Sequence, residues 1–131
     1  MAEHRLVPTL RGLSVLVVED DFLVASALCD LLKDCGCEVV GPVPRLCPAL
    51  ALAGEVLLNG AILDVNLAGE YSFPVAHLLR ERRVPFLFLT AYGDGSIFPP
   101  DLQGVPRLFK PYDDKAVADA AARAFARHTP G

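Results

Sequence analysis

Four apolar runs in this chain each end on residues that can handle a metal ion or a phosphoryl group. Ser14-Val15-Leu16-Val17-Val18 runs into Glu19-Asp20, and Ala61-Ile62-Leu63 into Asp64. Phe86-Leu87-Phe88-Leu89 ends on Thr90, and Arg107-Leu108-Phe109 on Lys110-Pro111. Short apolar runs closed by a polar residue have the pattern of buried parallel strands. In an open α/β sheet such strand ends share one carboxyl edge, where ligands bind. That edge would collect three carboxylates, a hydroxyl and an ammonium. Crowded carboxylates repel one another unless a cation lies among them. The set therefore suits a hard divalent metal facing an anion.

The elements that must position these residues alternate strand and helix. Residues 1–11 read as a loose leader, 12–128 as one domain and 129–131 as a tail. Strand patterns cover 14–18, 38–40, 61–64, 85–90 and 108–110. Asp20 or Asp21 can cap the first helix, in which Val24, Leu28, Leu31, Leu32 and Cys35 recur at helical spacing. Gly36 ends it, and Gly41-Pro42-Val43-Pro44 closes the second strand. A short helix is expected over 46–53 and another over 73–82, with Pro74 in its first turn. Asp113 can cap a last helix over 114–128, with Val117, Ala121, Ala124 and Phe125 inward. The stretch Tyr92–Pro106 holds Gly93, Gly95, Pro99, Pro100, Gly104 and Pro106, which oppose a long helix. A short turn or irregular loop pinned by Ile97, Phe98 and Leu102 is expected there.

The bulk numbers bound the function. The 131 residues suit one domain with a real core, and 53% hydrophobic against 21% charged residues fits a soluble globular protein. A net charge of −4 opposes nucleic-acid binding by the domain itself. No apolar stretch is long enough to span a bilayer, and no signal-peptide pattern opens the chain, so a cytoplasmic location is expected. Cys29, Cys35, Cys37 and Cys47 lack paired CxxC spacing and read as reduced, mostly buried thiols. His77 reads as a partly covered structural histidine, His4 and His128 as solvated, and Glu81-Arg82-Arg83 as an exposed helix end.

In Val15-Leu16-Val17-Val18-Glu19-Asp20, Leu63-Asp64-Val65-Asn66-Leu67, Leu89-Thr90-Ala91 and Lys110-Pro111-Tyr112 the chain resembles the receiver domain of two-component response regulators. The resemblance runs from about Leu13 to Ala126. It implies a flavodoxin-like (CheY-like) doubly wound five-stranded parallel sheet of order 2-1-3-4-5, here with an irregular or shortened fourth helix, in a stand-alone single-domain type. By that resemblance Asp64 is the phosphoacceptor and Asp20 a direct ligand of Mg²⁺ or Mn²⁺. Asn66 lends a backbone carbonyl to the metal, and Glu19 reaches it through water. Thr90 is the switch hydroxyl, Lys110 the phosphoryl-binding ammonium and Ala91 a backbone contact to the phosphoryl group. Lys110-Pro111 is expected to be cis.

The implied function is a signalling switch that takes a phosphoryl group from a histidine kinase or a histidine phosphotransfer protein. It would signal to a downstream protein, with a homodimer as a further arrangement, and would involve neither nucleic acid nor membrane. At most it would dephosphorylate itself slowly, which is not conventional enzyme activity. Two departures stand out. Glu19 replaces the more usual Asp, and Arg107 stands where many receivers carry a switch aromatic. Tyr92 and Tyr112 could substitute for that ring or simply pack at the sheet edge.

The alternatives are a phosphate sink, a pseudo-receiver scaffold and a haloacid-dehalogenase-type phosphohydrolase. The last wants a second acid two residues after the nucleophile, where Asn66 cannot move a proton. Asp20, Asp64, Thr90 and Lys110 argue against the scaffold.

Overall fold

The computed structural model describes residues 10–91 and 97–126. Strands β1 (Ser14–Val18), β2 (Glu38–Val43) and β3 (Gly60–Asp64) are followed by a hairpin of β4 (Asn66–Leu67) and β5 (Glu70–Tyr71), then by β6 (Phe86–Ala91) and β7 (Arg107–Lys110). Helices α1 (Phe22–Asp34), α2 (Leu46–Glu55), α3 (Phe73–Glu81) and α4 (Asp114–Ala126) connect or follow them. The main sheet is five-stranded and parallel, in the order β2-β1-β3-β6-β7. Counted by sheet strands alone, this is the expected 2-1-3-4-5 order of a flavodoxin-like fold.

Period-two alternation along the strands divides the core between two faces. Val15, Val17, Ile62, Leu87 and Leu89 pack with α1 and α4, whereas Leu16, Val18, Leu63, Phe86 and Phe88 pack with α2 and α3. Burying each such side chain contributes roughly 1.5–3 kcal/mol. One contact is unusually close. A Cβ at Gly60 would lie 2.7 Å from the Phe125 ring, so the absence of a side chain lets α4 seat directly on β3.

Asp21, rather than Asp20, caps α1: its Oδ1 accepts from the amides of Leu23 and Val24 at 3.0 and 3.1 Å. Asp20 is thereby left to the strand edge. β2 runs further than the sequence pattern suggests, through a cis Gly41-Pro42 peptide to Val43, with a shift in its pairing to β1. β2 is an edge strand, where proline is tolerated. Gly41 sits at φ 103, and a Cβ there would meet the Val17 carbonyl at 2.9 Å.

After β6, residues 92–96 lie outside the described residues, and with them Tyr92. Beyond them the connection holds a 3-10 turn at Pro100–Leu102 and no long helix among its described residues, in agreement with its proline and glycine content. Phe98, Leu102 and Val105 anchor the stretch in the core, while Ile97 is exposed and does not serve as a pin. His77 is partly covered, as expected, and its structural partner is a carboxylate. It is half-exposed and its Nε2 pairs with Asp101 Oδ2 at 3.0 Å, while Arg80 donates to the Asp101 carbonyl at 2.5 Å. Arg82, by contrast, is not an exposed helix end: it turns inward and donates to the carbonyls of Ala53 and Val56 at the end of α2. Cys29, Cys35 and Cys37 are buried free thiols, and Cys47 is exposed. His4, His128 and the tail lie outside the described residues. No helix among the described residues is long and apolar enough to cross a membrane.

Candidate functional site

Sheet register brings the chemistry-bearing residues together. Val18 pairs with Leu63, so Glu19 and Asp64 leave adjacent strands side by side. Asp64 pairs with Leu89, one residue before Thr90, and Ala91 pairs with Lys110. Carboxylate oxygens of Glu19, Asp20 and Asp64 lie within 4.8 Å of one another. Glu19 is 2% exposed and Asp64 6%, while Asp20 faces solvent at the mouth. Lys110 Nζ sits 3.3 Å from Asp64 Oδ2 and 3.5 Å from Glu19 Oε1. Its peptide bond to Pro111 is cis, as the sequence reading anticipates.

The two buried carboxylates differ in role. Glu19 Oε2 accepts the Asp21 amide at 3.0 Å, but Oε1 is buried and has no hydrogen-bond partner. Burial pushes the Glu19 carboxyl up to about 8, and a hydrogen bond with Asp64 and repulsion from it add to the effect. The Asp21 amide and Lys110 oppose it. Asp64 is also raised, by burial first, but its hydrogen bond with Glu19 and the Lys110 charge pull it back. For Lys110, burial works against the charge, yet Asp64 and Glu19 outweigh it and its pKa is raised. The ammonium stays charged.

Three carboxylates around one ammonium leave an excess of negative charge. An orphaned buried oxygen and an exposed third carboxylate at the mouth fit a small oxygen-seeking dication, which keeps several waters and binds few carboxylates. Beside Asp20 opens a recess of about 310 Å³, lined also by Arg45, Leu67 and Glu70. The sequence reading missed this wall. Its hairpin depends on Ala68 at φ 53 and Gly69 at φ 97, and two-residue strands leave no periodic signal. Asn66 Oδ1 accepts the Gly69 amide at 2.8 Å and so closes the turn.

Thr90 is 1% exposed, and its hydroxyl lies 3.3 Å from the Ala91 carbonyl. Ala91 is exposed at the strand end. Arg107, at the position singled out in sequence, lays its guanidinium 3.8 Å from the centroid of the Phe98 ring. It donates to the Gln103 carbonyl at 2.5 Å and to that of Leu102 at 3.5 Å. Phe98 in turn packs on Phe73 and Phe88, with centroids 5.4 and 5.1 Å away. Tyr112 is half-buried, and its hydroxyl is fully buried without a partner.

No protein-family profile matches the chain. The sensory transduction protein LytT of Bacillus subtilis (strain 168) is 28% identical over 108 residues, which are 80% of this chain and 45% of LytT. The chain thus spans about half the length of that curated relative. SdrG from Sphingomonas melonis Fr1 is similar in solution structure at 38% identity, with a TM-score of 0.74 over 85% of this chain and 94% of SdrG. The fold is also that of the receiver domain of the sensor histidine kinase PA1611 from Pseudomonas aeruginosa PAO1, which holds a magnesium ion coordinated in its active site cleft. That similarity has a TM-score of 0.75 at 23% identity, over 87% of this chain and 98% of that one.

Proposed function

This chain belongs to the receiver-domain family of two-component response regulators, and from that premise we propose that it is a switch that accepts a phosphoryl group on Asp64. The observation that carries the reading is the pairing of a buried Asp64 with Lys110 at 3.3 Å, beside two further carboxylates. A carboxylate in that state is a nucleophile able to form an acyl phosphate. The donor is phosphohistidine on a histidine kinase or phosphotransfer protein. An Asp64 oxygen attacks phosphorus, the P–N bond breaks, and its electron pair returns to the imidazole, which leaves neutral after taking up a proton.

Each neighbour has a task in that transfer. Lys110 turns its ammonium to a phosphoryl oxygen and balances charge there as a mobile point charge. The Ala91 amide and the Thr90 hydroxyl are donors for the other oxygens. Ala91 suits the role because its side chain is small. Mg²⁺ or Mn²⁺ suits Asp20, Asp64 and the main-chain carbonyl of Asn66, with Glu19 reaching it through water; when bound it neutralises the carboxylates and the phosphoryl oxygens. The Asn66 side chain is already spent on the hairpin turn, so its main-chain carbonyl is the group left for a metal.

The output is a change of surface. Drawing Thr90 toward the phosphoryl group pulls on the connection that follows β6, which Arg107 holds against Phe98. A downstream protein would read that face. The direct test is incubation with acetyl phosphate and Mg²⁺, followed by intact mass and peptide mapping. One added phosphoryl group on Asp64 is expected. A protein that stays unmodified, or that turns over phosphate esters rapidly, would be a scaffold or a hydrolase instead.

A further inference from the structure

The end of α3, the start of β6, the span before β7 and the end of α4 frame an open cavity of about 510 Å³. It lies at the amino end of β6, about 13 Å along that strand from Thr90 and the acceptor edge. Its walls are apolar, with Val84 and Phe86 on one side, Val105 and Pro106 on the other, and Ala124 of α4 between. Among the described residues, Arg80 and Arg83 bring the only charged side chains to its lining. A mostly apolar recess with a few polar groups is the usual form of a small-molecule site.

Arg83 sits just past α3 in the left-handed region, at φ 61. Glycine or asparagine usually fills that position, because a longer side chain is strained there. The helix end does not call for an arginine. The amides of Arg83 and Val84 already bond the carbonyls of Arg80 and Leu79, at 3.0 and 2.9 Å. Among the described residues the Arg83 guanidinium has neither a hydrogen-bond nor an ion-pair partner. Arg80 is already partly engaged: it donates to the Asp101 carbonyl at 2.5 Å and lies 3.9 Å from the Asp101 carboxylate.

We propose that this cavity is a binding site for a small organic carboxylate with an apolar body. The Arg83 fork takes the carboxylate through paired N–H···O bonds, and the body lies between the walls of β6 and the span before β7. One negative charge matches one free guanidinium. A phosphate dianion would call for both arginines and would have to draw Arg80 from Asp101. Backbone strain of this kind persists where a function requires it, and here the function is what the side chain binds. The site is separate from Asp64 and does not rest on its role as acceptor.

The test uses the full chain, 15N-labelled, titrated with cinnamate, with its uncharged analogue cinnamamide and with inorganic phosphate. Cinnamate should give saturable shifts in the amides of Arg83, Val84, Phe86, Gly104 and Val105. Removing either charge, in cinnamamide or in Arg83→Gln, should weaken binding about tenfold or more. Arg83→Gly should keep the fold, because glycine suits the left-handed position, and should lose cinnamate to the same degree. The inference is overturned by the lack of a saturable shift up to about 10 mM cinnamate, or by equal affinity for cinnamamide. Tighter binding of phosphate, undiminished affinity in the Arg83 variants, or shifts centred on Asp20 and Asp64 would overturn it as well. Phosphorylation by acetyl phosphate is measured apart from this titration, so failure of either reading leaves the other standing.

Discussion

Glu19→Gln should flatten the dependence of stability on pH in the metal-free protein. The Glu19 carboxyl has an ordinary value of 4.5 and is pushed up to about 8 in the fold. Below about pH 4.5 both folded and unfolded chains hold the proton, and the contribution of Glu19 to stability is fully present. As pH rises, the unfolded chain gives up that proton first, so the folded state binds more protons and loses stability. The loss continues until the folded carboxyl also ionises near pH 8, and then levels off. At up to about 1.4 kcal/mol per pH unit, flattening as the folded carboxyl itself ionises, the fall between pH 6 and 8 is about 2.3 kcal/mol. The Glu19 side chain is fully buried, so solvent screening does little to reduce it. For a chain of this length that corresponds to a drop in Tm of about 8 °C.

Glutamine can still accept the Asp21 amide but carries no titrating proton. Calorimetry in EDTA from pH 5 to 9, on wild type and Glu19→Gln, reads the effect of Glu19 together with that of the Asp64 it is coupled to, while distant titrating groups cancel in the difference. Saturating Mg²⁺ should reverse the wild-type slope above pH 6, since a cation favours the ionised carboxylates. A difference between the two proteins that stays constant from pH 6 to 8, or that grows in favour of wild type, would refute the reasoning.

Asp64→Asn should keep the fold yet gain no mass with acetyl phosphate, because the amide matches the carboxylate in shape but is not nucleophilic. Mg²⁺ at about a hundred times its Kd should stabilise wild type by about 2.7 kcal/mol in thermal melts; Asp20→Ala should abolish most of that gain and Glu19→Ala less. Arg107→Ala should lower stability by about 1–2 kcal/mol through loss of the Phe98 contact and the carbonyl bonds, and beryllofluoride should alter hydrogen exchange within residues 97–106 of wild type. Unchanged protection there, with changes confined to other regions, would refute this route of signalling. Gly60→Ala should cost about 1–3 kcal/mol in denaturant melts, because the new methyl meets the Phe125 ring.

The strands that carry the site were legible in the sequence because buried parallel strands are apolar throughout and end on the residues that do the chemistry. β2 was read short because Gly41-Pro42 has the chemistry of a terminator, and only its place at the sheet edge lets it continue. The β4–β5 hairpin left no trace because its two-residue strands are specified by backbone angles at Ala68 and Gly69, not by side-chain alternation. Arg82 sits in a charged run and His77 among apolar helix residues, and their inward and tethering roles depend on carbonyls and a carboxylate far away in the chain. Arg107 was visible as a departure from the resemblance, but its partner ring was not. The orphaned hydroxyl of Tyr112 could be found only by atomic burial, which composition and spacing do not encode.

The turn at Pro100–Leu102 is fastened from two directions. His77 and Arg80 of α3 hold Asp101, while Arg107 of β7 holds the carbonyls of Leu102 and Gln103. A helix in this connection would keep its own shape through its internal ladder and could slide as a rod. This span instead borrows its shape from two supports on different secondary elements. On the proposed switch, a pull from the Thr90 end would therefore tilt the span about those supports rather than translate it. A partner docking there would measure an angle between α3 and β7. Changes to either support would retune the signal without touching the residues that receive it.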